Sequence, residues 1–151
     1  PGGPAMLTSS TVRRNEGSPA SRLKTLSYLD NVLARRQALE AGADEAVMLN
    51  TRGEVACAAA ANLFWLKNDR LMTPALDCGV LDGIIRARVL AWAARNGLRT
   101  SEVRADLADL VGADAAVLTN SLIGLRPVAR LDDRIFEGPD LSGLLKGALA
   151  A

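Results

Sequence analysis

Histidine is absent from this sequence, and cysteine occurs only twice, as Cys57 and Cys78. Zinc sites draw most of their ligands from closely spaced cysteines and histidines, and the serine and cysteine hydrolases use histidine as their base. The two cysteines have no CxxC spacing, so none of these sites can be built here. Any chemistry in this chain therefore needs lysine, a carboxylate or a bound cofactor.

An excess of positive charge is also missing, because 18 lysines and arginines face 17 aspartates and glutamates, for a net charge of +1. No basic block or interleaved aromatic stripe appears, so we expect no nucleic-acid partner. The apolar runs are broken by charge well short of the roughly 20 residues that a membrane span needs, and the N-terminus lacks the apolar core of a signal peptide. We expect no membrane partner and a cytoplasmic protein.

The chain has 151 residues, of which 49% are hydrophobic. This is enough for one compact domain with a sizeable core. The first 20 residues are rich in glycine, proline and serine, a composition that favours a loop or linker. We therefore predict an interdomain linker or tail at 1–20 and one folded domain at 21–151. A chain that begins in a connector also suggests that an N-terminal domain precedes it.

Periodicity in the rest of the chain predicts both helices and strands. The predicted helices run from residue 28 to a glycine C-cap at Gly42, from Gly83 to about Asn96 with Asp82 as N-cap, and over 107–111 and 141–149. The predicted strands cover 45–49, 54–57, 62–66, 70–73, 98–103, 115–118 and 127–131. Because hairpins and crossovers both occur, we predict an α/β domain with a mixed sheet.

The first predicted helix is amphipathic. Its apolar residues follow helical spacing and should face the core, namely Leu29, Val32, Leu33, Ala38 and Leu39. Arg35 and Arg36 should face the solvent on the other side. The whole apolar stripe is thus assigned to the interior of the domain.

Lys24 stands between apolar residues just before this helix, in the run Ser-Arg-Leu-Lys-Thr-Leu. Most lysines are solvated surface charges. A lysine desolvated among apolar neighbours, however, can lose its charge and act as a nucleophile and a base. Lys24 is therefore the candidate catalytic residue, with a plain surface lysine as the alternative.

Two further segments have groups suited to an anion. Gly83, Ile84 and Ile85 lie at a predicted helix start, where unpaired backbone N–H groups and the helix dipole favour a group such as phosphate. Asn120 and Ser121 follow a predicted strand, at the end where ligands often bind in α/β sheets. The alternatives are an ordinary helix start for the first segment and a simple turn for the second.

Several segments occur together in one order and spacing. They are Lys24-Thr-Leu, Gly42-Ala-Asp-Glu-Ala, Asn62-Leu-Phe, Thr73-Pro, Gly79-Val-Leu-Asp-Gly-Ile-Ile-Arg and Leu118-Thr-Asn-Ser-Leu. From about residue 12 to the end, the chain resembles the C-terminal domain of the fold-type IV pyridoxal-phosphate enzymes, the class IV aminotransferase family. This family includes branched-chain aminotransferases, D-amino acid aminotransferases and aminodeoxychorismate lyases. The Lys-Thr-Leu and Thr-Asn-Ser-Leu segments are most similar to the lyases.

The resemblance implies a partly barrel-like mixed sheet with flanking helices, and pyridoxal 5'-phosphate as cofactor. It implies that Lys24 forms the Schiff base and later shuttles the Cα proton of an amino-acid-like substrate. The backbone at Ile84 and Ile85, with Asn120 and Ser121, would hold the phosphate.

The same resemblance assigns further roles. Leu81, beside Gly83, would pack on the pyridine ring, and Tyr28 would reach the phenolic oxygen of the cofactor unless it is a core tyrosine. Asn62 matches a family position whose role is left open. The N-terminal domain, absent from this sequence, would supply an arginine for the phosphate and most of the substrate pocket. Family members are homodimers, so we expect self-association.

One position departs from the family pattern. The family places a glutamate five residues before the asparagine of Asn-Leu-Phe, where it pairs with the pyridine nitrogen, and this sequence has Cys57 there. A neutral thiol is a weak hydrogen-bond donor, so the ring should accept electrons less well. Glu54 should not replace it, because residues three apart on a regular strand face opposite sides.

These features lead to three functional hypotheses. The first is a pyridoxal-phosphate lyase resembling aminodeoxychorismate lyase, which releases pyruvate and 4-aminobenzoate in folate biosynthesis. The second is a class IV aminotransferase of the branched-chain or D-amino acid type. The third is a degenerate, non-catalytic paralogue, because Cys57 replaces the usual glutamate.

Overall fold

The computed structural model describes residues 3–150, which form one sheet with helices packed against it. The strands in this part of the chain are β1 (Ala5–Arg14), β2 (Glu45–Asn50), β3 (Val55–Ala58), β4 (Asn62–Lys67), β5 (Arg70–Pro74), β6 (Thr100–Val103), β7 (Ala115–Asn120), β8 (Gly124–Leu131) and β9 (Arg134–Ile135). The α-helices are α1 (Leu29–Glu40), α2 (Ile84–Arg95), α3 (Leu107–Val111) and α4 (Leu141–Leu145). Short 3-10 helices lie at Pro19–Arg22, Leu76–Cys78 and Lys146–Leu149.

The sheet is mixed, as predicted, with the strand order β3-β2-β1-β8-β7-β4-β5-β6 and with β9 paired to β8. Strand β1 runs parallel to β2 and to β8, and β5 runs parallel to β6. The other pairs are antiparallel. The α/β class predicted from the alternation of patterns is confirmed.

Strand β1 corrects the prediction for residues 1–20. Ala5–Arg14 is a strand between β2 and β8, near the middle of the sheet, and not a linker. Its serines and threonines are accommodated because they find partners: the Thr8 hydroxyl donates to Asp132 at 2.8 Å and the Ser10 hydroxyl to Gln37 at 2.7 Å. The first two residues of the predicted linker lie outside the described part of the chain.

One face of the sheet closes around a single apolar core. Strands from the whole sheet contribute to it, including the two edge strands through Val55 of β3 and Val103 of β6. The largest side chain in it, Trp65 of β4, is fully buried. A sheet whose two edges reach the same cluster must curl, and the half-barrel implied by the family resemblance is confirmed.

The other face is covered by helices. Helices α2 and α4 pack there on β4 and β7, with Ile85, Val89 and Leu145 among the buried residues. Helix α1 packs on β1 and β2 and forms a separate cluster that includes Cys57. No helix in residues 3–150 is long and apolar enough to cross a membrane.

Both predicted hairpins are present. The β2–β3 pair is antiparallel with a bulge between Met48 and Leu49, and β4 pairs with β5 across the turn at Asn68 and Asp69. Both turn residues have positive φ, of 51° and 55°, a conformation that asparagine and aspartate tolerate better than most residues.

Helix α1 is present, but of the residues predicted for its buried face only Ala38 is buried. Its buried residues are Asn31, Ala34 and Ala38, whereas Leu29 and Val32 are 68% and 55% exposed. The small residues face inward because α1 lies close against β1 and β2, where a leucine would not fit. The larger apolar side chains form an exposed stripe.

Helix α2 also begins differently from the prediction. Gly83 is the N-cap, and no side chain caps this helix. The Asp82 carboxylate instead accepts a hydrogen bond from Arg86 Nη1 at 3.2 Å, one turn further along. The first N–H groups of α2 are therefore left without the side-chain partner that Asp82 was expected to supply.

The orientation of α1 predicts how substitutions affect stability. Leu39→Ser should change the free energy of unfolding by no more than about 0.5 kcal/mol, because Leu39 is exposed. Ala34→Leu should cost about 1–3 kcal/mol, because the added atoms overpack a fully buried site. Urea unfolding of both variants measures the difference, and the reverse order would show that the helix buries its other face.

Candidate active site

The pairing of β4 with β7 positions the start of α2. Asn62, the first residue of β4, lies opposite Thr119 of β7. The Asn62 amide Nδ2 donates to the Leu81 carbonyl at 2.9 Å, just ahead of α2. A Cβ atom added at Gly83 would lie only 2.2 Å from Asn62 Oδ1. The approach of the chain to α2 therefore requires both the asparagine and the glycine.

The start of α2 has the features of an anion site. The N–H groups of Ile84 and Ile85 belong to its first turn, which has no intrahelical acceptor. Thr119, opposite Asn62 in β7, is fully buried, and its hydroxyl oxygen has no hydrogen-bond partner within residues 3–150. Buried polar atoms are normally paired, so this hydroxyl is available for a further partner. Together with the helix dipole, these groups favour a negatively charged ligand.

Asn120 and Ser121 follow Thr119, but the side chain of Asn120 is already committed. Its Nδ2 donates to the Ala60 carbonyl at 2.8 Å, and its Oδ1 accepts from the N–H groups of Leu122 and Ile123, both at 2.9 Å. Asn120 thus shapes the turn and fixes it to the β3–β4 loop. Ser121, at the tip of that turn, is exposed.

The β3–β4 loop, residues 59–61, is held from a second side by α1 and the residue before it. The Ala59 carbonyl accepts hydrogen bonds from the Tyr28 hydroxyl and, at 2.8 Å, from Asn31 Nδ2. Tyr28 is 41% exposed, so it is not a core tyrosine. Partial burial raises the pKa of Tyr28, which keeps its hydroxyl protonated and donating.

Lys24 lies in the segment between the first 3-10 helix and α1, and its side chain is exposed. Its apolar neighbours Leu23 and Leu26 are also exposed, at 61% and 101%. The desolvation predicted from the sequence is therefore not supplied by residues 3–150. Among residues 3–150, Lys24 forms no ion pair, so its amine is not committed to a carboxylate.

Cys57 is buried in the cluster beneath α1, opposite Met48 in the neighbouring strand. Burial raises the pKa of its thiol to about 11, so it is neutral at ordinary pH. Glu54 does not compensate, because its carboxylate accepts from Arg52 Nη2 at 2.8 Å and from Asn50 Nδ2 at 2.7 Å. Those bonds lower the pKa of Glu54 to about 2.

Sequence reasoning missed three polar residues around this site. Arg14 is buried at the end of β1, Asn31 is buried in α1, and Glu45 is buried at the start of β2. Burial raises the pKa of Glu45, although an Arg35 guanidinium lies 3.9 Å away. The run Thr-Val-Arg-Arg, with its β-branched residues, was the available signal for β1, but the glycines and serines around it favoured a linker. No sequence pattern near Asn31 indicated that it would be buried beside this site.

A metal site has no basis in the described residues. Residues 3–150 contain no group of three or more histidine, cysteine, aspartate or glutamate side chains placed to hold a metal ion.

Residues 2–131 match the family model described as "Amino-transferase class IV". The chain belongs to the class IV aminotransferase family. An aminodeoxychorismate lyase from Bacillus subtilis is 34% identical over 123 residues, which cover 82% of this chain and 42% of the lyase.

Solved structures of class IV proteins have the same fold. A Legionella pneumophila protein with the provisional name 4-amino-4-deoxychorismate lyase superposes with a TM-score of 0.94 and 36% identity, over 99% of this chain and 56% of that one. A branched-chain aminotransferase from Thermobaculum terrenum in its PLP form gives a TM-score of 0.90 and 28% identity, over 97% of this chain and 50% of that one. The chain thus spans about half the length of these relatives.

The contact between Gly83 and Asn62 predicts a coupled pair of substitutions in this class IV domain. Gly83→Ala should cost about 1–3 kcal/mol of unfolding free energy, because its methyl group collides with Asn62 Oδ1. Adding Asn62→Ala should relieve part of that cost, so the double variant loses less than the sum of the two single ones.

Gly17→Ala is the matched control, because an added Cβ there makes an ordinary contact at 3.4 Å with Asn15. It should change stability by no more than about 0.5 kcal/mol. Urea unfolding of the four variants provides the comparison, and strictly additive losses would show that the two residues do not touch.

Proposed function

We propose that this chain carries the pyridoxal-phosphate site of a class IV enzyme, with Lys24 as the covalent attachment point. The observation that carries the proposal is the uncapped start of α2, which Asn62 ties to the strand pair that holds the unpartnered Thr119 hydroxyl. A site with free N–H groups, a helix dipole and a buried hydroxyl suits a phosphate group. The PLP form of the Thermobaculum terrenum relative supports the same ligand.

The donor set fits the phosphate end of the cofactor. The N–H groups of Ile84 and Ile85 would bind phosphate oxygens, and Ser121 would add a hydroxyl from the neighbouring turn. Gly83 lets Asn62 lie directly against the backbone before this turn, where a side chain would collide with it. Leu81, fixed through its carbonyl by Asn62, offers an apolar surface for the ring.

Pyridoxal phosphate, when bound, supplies an electron-accepting ring that stabilises negative charge on the substrate Cα. Lys24 would attach the cofactor through its ε-amine and, once released, accept and return the Cα proton. The exposed position of Lys24 in this chain means that the desolvation it needs must come from bound ligand and further protein. The single hydroxyl proton of Tyr28 is donated to the Ala59 carbonyl, so Tyr28 would have to release that bond to donate to an oxygen on the ring.

The residues at the other end of the ring fit less well. A pyridine nitrogen is kept protonated by a carboxylate, and the buried Cys57 thiol has no negative charge to offer. Glu54 is held in bonds to Arg52 and Asn50. Carbanion stabilisation should therefore be weaker than with a glutamate at position 57. This is the observation that favours the alternative of a degenerate, non-catalytic paralogue.

For the reaction itself, we favour a lyase that removes the Cα proton and eliminates at Cβ, releasing pyruvate and 4-aminobenzoate from aminodeoxychorismate. The similarity to the Bacillus subtilis and Legionella pneumophila proteins supports this choice. An aminotransferase is the second candidate, supported by the similarity to the Thermobaculum terrenum enzyme. Both reactions would use Lys24, and they differ only in what happens to the substrate.

A larger assembly is also part of the proposal. The exposed apolar residues Leu26, Leu29 and Val32 lie beside Lys24 along the start of α1. Exposed apolar groups of this kind mark contact surfaces. We expect them to be covered by an N-terminal domain or by a second copy in a homodimer.

Reductive labelling tests the cofactor assignment. The amine of a lysine condenses with the aldehyde of pyridoxal phosphate with loss of water, and borohydride then delivers a hydride that makes the bond permanent. The lysines of the chain are Lys24, Lys67 and Lys146. Lys24 should be labelled about tenfold or more above the exposed Lys146, because phosphate binding at α2 raises the local aldehyde concentration.

Peptide mapping by mass spectrometry gives the ratio directly. Lys67 serves as a second internal control, since its amine is bound to Asp109 at 2.5 Å. Equal labelling of Lys24 and Lys146 would refute the assignment of Lys24.

Product analysis separates the reactions. The full-length protein, incubated with pyridoxal phosphate and aminodeoxychorismate, should form 4-aminobenzoate and pyruvate, and Lys24→Ala should abolish both. Amino transfer to a 2-oxo acid without 4-aminobenzoate would contradict the lyase and favour the aminotransferase. No turnover of either kind would favour the non-catalytic paralogue.

A further inference from the structure

Arg14 is a buried cation at the end of β1, and each of its three guanidinium nitrogens donates to a neutral acceptor. Nε donates to the Gly79 carbonyl at 3.0 Å, Nη1 to Asn31 Oδ1 at 2.6 Å and Nη2 to the Ser21 carbonyl at 2.6 Å. Within residues 3–150 it forms no ion pair. A buried charge without a counter-ion is costly, so these three hydrogen bonds are what compensate it.

The three acceptors belong to the three segments that carry the candidate site. Ser21, in the first 3-10 helix, precedes Lys24 by three residues. Asn31 lies in the first turn of α1, and its Nδ2 continues to the Ala59 carbonyl, which also accepts from Tyr28. Gly79 stands two residues before Leu81, on the approach to α2. One side chain thus joins the lysine segment, the β3–β4 loop and the anion site.

The backbone around Arg14 is built for this contact. Gly79 has φ of +85°, and a Cβ there would lie 3.0 Å from Glu16 Cα and 3.2 Å from Arg14 Cγ. Any other residue would push the α2 approach away from the end of β1. Because guanidinium is a planar fork with donors in three directions, it can reach all three acceptors at once, which a lysine ammonium on a flexible stem cannot do.

We propose that Arg14 is a positioning residue that fixes Lys24 relative to the anion-binding start of α2. This inference rests on the proposed function, since it concerns the distance between the attachment lysine and the phosphate site. In this role Arg14 needs no contact with substrate or cofactor. It acts through the Ser21 and Gly79 carbonyls.

The test is the labelling ratio of Lys24 to Lys146 with pyridoxal phosphate and borohydride, measured on variants of the purified protein. Arg14→Lys keeps the charge and loses the fork, and it should lower the ratio on the order of tenfold, because misplacement of a reacting group by about 1 Å costs that much or more. Phosphate binding at α2, followed with inorganic phosphate by isothermal titration calorimetry, should change by less than twofold in affinity.

Ser10→Ala is the matched control. It removes a partly buried hydrogen bond between β1 and α1, from the Ser10 hydroxyl to Gln37, without touching the Lys24 segment. The control should leave the labelling ratio unchanged even though it lowers stability. An equal fall in both variants would show that Arg14 contributes only stability, and an unchanged ratio in Arg14→Lys would overturn the proposal.

A measurement on the unmodified protein decides the case if Arg14→Lys does not fold. The Arg14 Nε proton should exchange with solvent at least about tenfold more slowly than that of the exposed Arg88, because it is buried and bonded. Equal exchange rates would contradict the proposal. A wild-type protein that shows no preference for Lys24 would instead refute the proposed function itself.

Discussion

The antiparallel pairing of β4 with β7 is the constraint on which the site depends. It sets Asn62 opposite Thr119, and Asn62 in turn holds the Leu81 carbonyl and touches Gly83. A slip of one residue in this register would turn Asn62 to the opposite face of the sheet and remove its contact with the start of α2. The anion site is therefore a property of sheet register as much as of the helix.

The two ends of the site differ in how completely they are built. At the α2 end, free N–H groups, the helix dipole and the buried Thr119 hydroxyl all favour a negative charge. Near Cys57, burial leaves a neutral thiol. The nearby cation, Arg14, donates its hydrogen bonds to two backbone carbonyls and a side-chain amide. The site as a whole is therefore better suited to binding a phosphorylated ligand than to stabilising negative charge on the ring of that ligand.

Local patterns predicted the hairpins, α2 and the mixed sheet, because turn residues and hydrophobic periodicity act over a few neighbours. They failed where packing between distant segments decides the outcome. Ala5–Arg14 became a central strand because partners such as Asp132 and Gln37 satisfy its hydroxyl groups. Likewise, α1 buries Ala34 and Ala38 because the sheet lies too close for leucine. The bonds of Arg14, between residues far apart in sequence, left no signal in any one segment.

The most direct measurement is a crystal structure of the protein with pyridoxal phosphate. It should show the phosphate within hydrogen-bonding distance of the Ile84 and Ile85 nitrogen atoms and electron density continuous with Lys24 Nζ. The Arg14 guanidinium should keep its bonds to Ser21 and Gly79. A phosphate bound away from the start of α2, or a ligand with no connection to Lys24, would contradict the assignment of this site.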